Sequence, residues 1–244
     1  MSESSQLDGF FQGALIDPAI WQLRPDYRSL LLVADGIIPG PSDEKSEALL
    51  RAAEGRAREA LAGCPVEELE PVAAWRDAYR TFGAKPQRTR SSLEALLRRA
   101  KSGLPRVNRL TDTYNAISVV HMIPLGGEDL ARYDGPPRLI RADGTEPFDT
   151  AEGGAEIVEY PEVGEVVWCD EGGVTCRRWN WRQARRTQLR DDTAAALFIL
   201  DALAPLTDEA LHAAADDLAS HLIRLGPHVR TARRLMSRAK ELTC

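Results

Sequence analysis

Cysteine is scarce in this chain of 244 residues, and long apolar runs are missing. The cysteines are Cys64, Cys169, Cys176 and Cys244, and no two of them have the C-x-x-C spacing of a zinc site or form part of a disulfide framework. We expect reduced thiols, with Cys169 and Cys176 flanking a turn as small buried hydrophobes rather than as a redox pair. No segment approaches eighteen uninterrupted apolar residues, and the start of the chain lacks a basic stretch followed by an apolar one. These absences predict a cytoplasmic protein that neither spans a membrane nor carries a secretion signal.

An excess of positive charge is also missing. The net charge is −6 and the isoelectric point is about 5.4, so binding of DNA or RNA by bulk electrostatics is not expected. Positive charge is concentrated locally in two stretches, residues 85–109 and residues 177–190. Because the net charge is negative, any contact with nucleic acid must be local and must depend on few cations. A charge run by itself is most often a solvated face.

Several catalytic signatures do not occur. The sequence has no glycine-rich phosphate loop, no H-E-x-x-H, no G-x-S-x-G and no local nucleophile pattern around its serines. We therefore expect no metal, no cofactor and no covalent catalysis. Any enzymatic reaction would have to depend on a positioned water and on hydrogen-bond donors.

The hydrophobic pattern predicts an α+β class, with a central antiparallel or mixed sheet flanked by N-terminal and C-terminal helices. The apolar run 27–34 predicts a buried strand, and the runs between residues 138 and 179 predict short antiparallel strands. Helices are predicted at residues 43–61, 66–81, 92–100, 108–121, 193–203, 208–225 and from 227 onward.

Two segments carry the chemistry. In the first, Asp112 and Asn115 are three residues apart, so both side chains leave one face of the predicted helix and can bind an amine and a hydroxyl or carbonyl. The alternative is that each ties down a turn through backbone hydrogen bonds. The second segment is C-R-R-W-N-W-R at 176–182, where arginines alternate with indole rings. Such a run can hold single-stranded nucleic acid, or it can be a structural corner with arginines lying over the rings.

These segments also carry a family resemblance. The editing module of the phenylalanyl-tRNA synthetase β-subunit has V-D-x-T-N, then P-x-H-x-F-D, then an R-x-A…G-E strand. This chain has LTDTYN at 110–115, PLGGEDL at 124–130 and a comparable stretch ending at Glu146. From about Trp75 to Leu203 it resembles a freestanding B3/B4 domain, whose members carry a C-R-R-W-N-W-R type run. The resemblance divides the chain into residues 1–74 (a strand and helices packed on the core), 75–203 (the B3/B4-like core) and 204–244 (a C-terminal helical extension).

The resemblance implies a pocket that receives the 3′ end of an aminoacyl-tRNA and hydrolyses the ester when the amino acid is wrong. It nominates Asn115, Glu146 and Asn180 as catalytic. For substrate binding it implies Asp112, Gly126, Gly127, Arg177, Arg178, Trp179, Trp181 and Arg182, with the arginines and tryptophans holding the 3′ end.

The sequence departs from the synthetase pattern in the pocket. Gly126 replaces the family's histidine, and Asn180 and Trp181 fall near its paired glycines. The tyrosine specificity of the synthetase module is therefore not carried over. Two alternatives stay open: a non-catalytic module that binds RNA or an amino acid, and an enzyme acting on a small amino-acid derivative without tRNA. Convergence of Asn115, Glu146 and Asn180 on one cleft would favour hydrolysis.

Overall fold

The computed structural model describes residues 10–238 and has the predicted α+β class. The helices are α1 (Pro18–Leu23), α2 (Glu44–Ala60), α3 (Glu70–Thr81), α4 (Ser92–Arg99), α5 (Arg109–Val120) and α6 (Asp208–Leu222). The strands are β1 (Leu15–Ile16), β2 (Arg28–Asp35), β3 (Leu125–Asp129), β4 (Arg138–Arg141), β5 (Phe148–Glu152), β6 (Ala155–Glu159), β7 (Val166–Asp170), β8 (Gly173–Arg177), β9 (Arg182–Gln183), β10 (Ala195–Ala202) and β11 (Arg230–Ser237). None of these helices combines the length and apolarity needed to cross a membrane.

Two sheets and one hairpin contain the strands. An antiparallel four-stranded sheet has the order β11-β2-β10-β3. A five-stranded sheet has the order β1-β4-β7-β8-β9, in which only the β1–β4 pair is parallel. Strands β5 and β6 form a separate hairpin.

The four-stranded sheet is the middle layer of the molecule. On one face, Leu32 and Phe198 belong to the same core cluster as apolar residues of α5 and α6. On the other face, Val33 and Leu197 pack with Trp168 of the five-stranded sheet. Successive side chains of a strand point to opposite faces, so a strand covered on both sides has a continuous apolar sequence.

This double coverage explains one wrong prediction from the sequence. Residues 193–203 are predicted to be helical, but 195–202 form strand β10, which pairs with β2 and β3. The segment is alanine-rich and almost entirely buried, so it shows neither a helical nor an alternating period.

The prediction of helix from residue 227 onward is also wrong for the part of this range that the structure describes. Residues 230–237 form β11, which pairs along the full length of β2. Arginine, alanine and leucine favour a helix locally, but the unpaired edge of β2 can be completed only by a strand, and tertiary pairing overrides propensity. The predicted helix at 66–81 is a short 3₁₀ turn followed by α3.

The helix starts predicted around α2, α4 and α5 have clear caps. The side chains of Asp43, Ser91 and Asn108 each accept a hydrogen bond from a backbone N–H in the first turn of their helix. These caps fix where α4 and α5 begin, and both helices form a wall of the site described below.

The cysteines within the described residues are free thiols. In the β7–β8 hairpin Cys169 lies opposite Val174, and Cys176 lies opposite Trp168, so the two thiols do not face each other. Burial raises the pKa of Cys169 to about 11 and that of Cys176 well above its usual value. Cys244 lies outside the described residues.

Candidate functional site

A cavity of about 280 Å³ opens beside the junction of the two sheets. Helices α4 and α5 and the loop between them form one wall, and β3, β7, β8, β9, β10 and the β8–β9 turn form the rest. It is lined by Ser92, Ala95, Leu96, Arg99, Pro105, Tyr114, Asn115, Leu125, Gly126, Glu128, Trp168, Cys176, Trp179, Asn180, Trp181, Gln183, Ile199 and Asp201. Apolar walls with a few polar groups are typical of small-molecule sites.

The β8–β9 turn is conformationally unusual. Arg178 and Trp179 have φ values of 47° and 68°, in the left-handed region that residues other than glycine rarely adopt. The Trp179 N–H donates to the Val166 carbonyl at 2.7 Å, and the Asn180 carbonyl accepts from the Ser92 N–H at 2.9 Å. Two consecutive strained residues persist only where the surroundings enforce them, and such sites are often functional.

Trp179 supplies most of that enforcement. Its indole is fully buried, and ring centroids of Tyr27 and Trp75 lie 4.9 Å and 5.4 Å from it in edge-to-face geometry. The turn is therefore fixed to the core, and Asn180 is presented to the cavity. This placement makes Trp179 a packing residue as well as a lining residue.

Asn180 belongs to a buried polar network. Its Nδ2 donates to Asp201 Oδ2 at 3.1 Å, and its Oδ1 accepts from the Tyr79 hydroxyl at 2.8 Å. The Tyr27 hydroxyl donates to Asp201 Oδ1 at 2.7 Å. Burial raises the pKa of Asp201 to about 6, although these donors oppose the shift.

Glu128 is a second buried carboxyl group in the cavity wall. It is 2% exposed, and its Oε2 accepts a hydrogen bond from the Tyr133 hydroxyl. Burial raises the pKa of Glu128 to about 7; the Tyr133 hydrogen bond lowers it, and the nearby Asp170 carboxylate adds a smaller increase. A carboxyl group that titrates near neutrality inside a cavity is a candidate general base.

The sequence-based candidates do not include Glu128 or Asp201. Glu128 lies two residues after Gly126 on β3, so both face the same side of the sheet. That signal can be used only once β3 is known to be a strand. Asp201 lies in the segment that the sequence predicts as a helix.

The two candidate glycines face opposite ways. A Cβ placed on Gly126 would meet no atom within 4 Å, which agrees with its place in the cavity wall. A Cβ on Gly127 would lie 2.9–3.0 Å from side-chain atoms of Leu189, Phe198 and Tyr114. Gly126 thus leaves the cavity open, whereas Gly127 allows close packing on the other face.

The nominated catalytic residues converge only in part. Asn115 and Asn180 line the cavity, but Glu146 does not. The Glu146 carboxylate accepts hydrogen bonds from the backbone N–H groups of Asp143 and Gly144 and so closes a local turn. Glu146 is therefore not placed to orient a water in this cavity.

Asp112 is also absent from the cavity lining. Its carboxylate accepts from the Val107 N–H at 2.8 Å and from the Ser42 hydroxyl. The residue is fully buried and joins the loop before α5 to the segment before α2. Asp112 thus fixes the backbone through hydrogen bonds rather than facing the cavity.

The arginines of the 176–182 run are largely engaged in ion pairs. Arg177 is buried and bonds both carboxylate oxygens of Glu165 at 2.8 Å, and it also contacts Glu159. Arg182 pairs with Glu159 at 2.6 Å. Arg177 is thus a structural residue that joins strands, and it is not in the cavity lining.

Trp181 lies where the cavity meets the remaining arginines. The guanidinium groups of Arg178 and Arg182 lie 4.7 Å and 5.0 Å from its ring centroid, and its indole lines the cavity. Of the residues expected to hold a 3′ end, Trp181 and these two arginines are the partly exposed ones. Within residues 10–238, no group of three or more His, Cys, Asp or Glu side chains could hold a metal ion.

Comparison with known proteins gives one family match. A model of the B3/4 domain matches residues 74–242. No curated protein matches the chain. Among solved structures, an N-terminal fragment of the phenylalanyl-tRNA synthetase β-subunit from Pyrococcus horikoshii is similar, with 13% identity and a TM-score of 0.45. The alignment covers 89% of this chain and 49% of that fragment, so the chain spans about half of its length.

Proposed function

Because the chain belongs to the B3/4 domain family, we propose that it hydrolyses the ester of misacylated tRNA in the 280 Å³ cavity. The observation that carries the proposal is Glu128, a buried carboxyl group that lines this cavity together with Asn115 and Asn180. An ester to a ribose hydroxyl is already activated, so one oriented water and one base suffice for hydrolysis.

In the proposed reaction, a water attacks the ester carbonyl carbon while Glu128 accepts a proton from that water. The tetrahedral intermediate then collapses, the carbon–oxygen bond to the ribose breaks, and Glu128 returns the proton to the ribose oxygen. The products are the free amino acid and an uncharged tRNA end, and Glu128 is restored.

Polar groups in the cavity wall are available to bind the substrate. Among the described residues, the buried Ser92 hydroxyl has no hydrogen-bond partner, and the Asn115 side chain also lines the cavity. The Trp168 Nε1–H is also buried without a hydrogen-bond partner. Buried donors without partners are rare in folded proteins, and those beside a cavity suit the ester carbonyl or the ribose.

Hydrolysis of a panel of mischarged tRNAs tests the proposal. We expect the wild type to deacylate at least one member, and Glu128→Gln to lose activity by roughly 10²–10⁴-fold. Because Glu128 must be ionised, the enzyme-dependent rate should rise with pH around its pKa of about 7. The uncatalysed ester loss, measured without protein, is subtracted at each pH.

Glu146→Gln is the matched control, because Glu146 lies outside the cavity wall. Its rate should equal that of the wild type, whereas Asn115→Ala should be slower. If folded wild-type protein deacylates no member of the panel, hydrolysis of misacylated tRNA is excluded. RNA binding without ester loss would then identify the protein as a binding module. Cleavage of free amino-acid esters alone would identify it as an enzyme that acts on small amino-acid derivatives.

A further inference from the structure

A second pocket, of about 310 Å³, is lined in part by Arg178, whose guanidinium lies over the Trp181 indole. Its lining includes Lys85, Arg88, Thr89, Arg178, Phe82 and Val163. Arg178 joins the two sites, because its guanidinium stacks on Trp181, which lines the 280 Å³ cavity.

The loop between α3 and α4 brings the cations together. The Arg88 N–H donates to the Lys85 carbonyl at 2.9 Å, which closes a turn and sets both side chains on the same loop. Arg178 Nη1 donates to the buried Thr89 hydroxyl, which ties this loop to the β8–β9 turn. The pocket is therefore held by the same strained turn that presents Asn180 to the cavity.

Lys85 and Arg88 differ from the arginines of the 176–182 run. Both are exposed, and among the described residues no carboxylate lies within 4 Å of either charge. In contrast, Arg177 and Arg182 are paired with Glu159 or Glu165. Two carboxylates also line the pocket. Glu165 already accepts hydrogen bonds from both Arg177 and Arg178, and Glu162 is exposed.

We propose that this pocket binds a backbone phosphate of the single-stranded RNA whose esterified end occupies the cavity. The direction of the RNA strand, with its esterified end in the cavity, rests on the proposed function. Cations without acidic partners bind phosphate oxygens, and the apolar Phe82 and Val163 surfaces, the latter 81% exposed, suit a ribose or base. A protein of net charge −6 can hold RNA in this way because few cations are needed.

Binding of a 5′-labelled single-stranded RNA heptanucleotide ending in CCA, followed by fluorescence anisotropy at several salt concentrations, tests the pocket without any hydrolysis. The double variant Lys85→Ala/Arg88→Ala should bind on the order of tenfold more weakly at low salt. Its plot of log affinity against log salt should flatten by roughly 0.7 for each phosphate contact removed. The control Arg58→Ala/Arg224→Ala removes the same charge outside both sites and should match the wild type.

Kinetics separates this inference from the proposed function. With misacylated tRNA, Lys85→Ala/Arg88→Ala should raise KM with kcat nearly unchanged. With an aminoacyl-adenosine that lacks the phosphate chain, the same variant should equal the wild type. An unchanged RNA affinity and salt slope in the double variant would overturn the phosphate site, even if hydrolysis is confirmed. RNA binding that depends on these two cations would uphold it, even if no ester is cleaved.

Discussion

At the residue scale, the two glycines of β3 differ in the space beside them: a side chain fits at Gly126 but not at Gly127. Gly126→Ala adds a methyl group that meets no atom within 4 Å, so we expect the free energy of unfolding to change by less than about 0.5 kcal/mol. Gly127→Ala forces a methyl group against Tyr114 and Leu189, so we expect a loss of about 1–3 kcal/mol. Urea unfolding of the two variants measures both values. Equal losses would contradict the assignment of Gly126 to the cavity wall.

Gly126 also affects the space available in the cavity. It occupies the position where the synthetase pattern has histidine, and its missing side chain leaves the cavity open. The order of the motifs in the sequence is enough to show that glycine stands here in place of histidine. The sequence could not show whether this glycine enlarges the cavity, since that depends on which face of β3 points into it.

Residues of the candidate site were predictable from the sequence only where a motif carried them. Asn115 and Asn180 were found because their motifs mark them, and both line the cavity. Glu128 was missed because a carboxylate in a short strand gives no sign of its burial, and Asp201 was missed because its segment was predicted as a helix. Glu146 fits the motif equally well, yet its carboxylate closes a turn. Motif order therefore found the segment but could not separate residues that face a cavity from those that fix the backbone.

At the scale of elements, the sequence predicted helix starts better than it predicted strands β10 and β11. The cap residues Asp43, Ser91 and Asn108 mark local events, since a helix start depends on side chains within three residues. Strands β10 and β11 depend instead on partners distant in sequence. β10 crosses the middle of the sheet and β11 completes its edge, so only the assembled sheet defines them.

The β8–β9 turn is the element on which both proposed sites depend. We expect Trp179→Ala to lower the free energy of unfolding by about 3–5 kcal/mol, because the fully buried indole packs against Tyr27 and Trp75. Trp181→Ala, at a partly exposed ring, should cost about 1 kcal/mol or less and should act mainly on RNA binding. Denaturant unfolding and RNA anisotropy on the pair check this division. Similar stability losses would refute it.

At the scale of the whole molecule, the arginines of the 176–182 run are mostly paired with carboxylates. The arginine-rich run at 176–182 suggests a cationic surface in the sequence, but Arg177 is buried and Arg182 pairs with Glu159. The paired carboxylates come from β6 and the loop before β7, at positions that sequence alone does not connect to the run. The net charge of −6 is thus compatible with a small cationic area made by Lys85, Arg88 and Arg178.

The buried acids also set how the stability of the whole molecule depends on pH. The pKa of Glu128 is about 7 in the folded protein against an ordinary value of 4.5, so between these values the folded state holds more protons than the unfolded state. Its contribution to the free energy of unfolding is therefore favourable at low pH and is lost as pH rises from about 4.5 to about 7. Burial also raises the pKa of Asp201, to about 6, so Asp201 acts in the same direction over an overlapping range of pH, and the wild type alone does not separate the two groups.

The difference between Glu128→Gln and the wild type isolates this effect, because all other groups are common to both proteins. The introduced amide stays neutral and can still accept from the Tyr133 hydroxyl. We expect the variant to gain stability relative to the wild type as pH rises from about 4.5 to about 7, by on the order of 3 kcal/mol at most, and the difference to be constant above about pH 8. Urea unfolding at half-unit pH steps measures it. A difference that does not change with pH would mean that Glu128 titrates at an ordinary value, and its role as a base near neutrality would be lost with it.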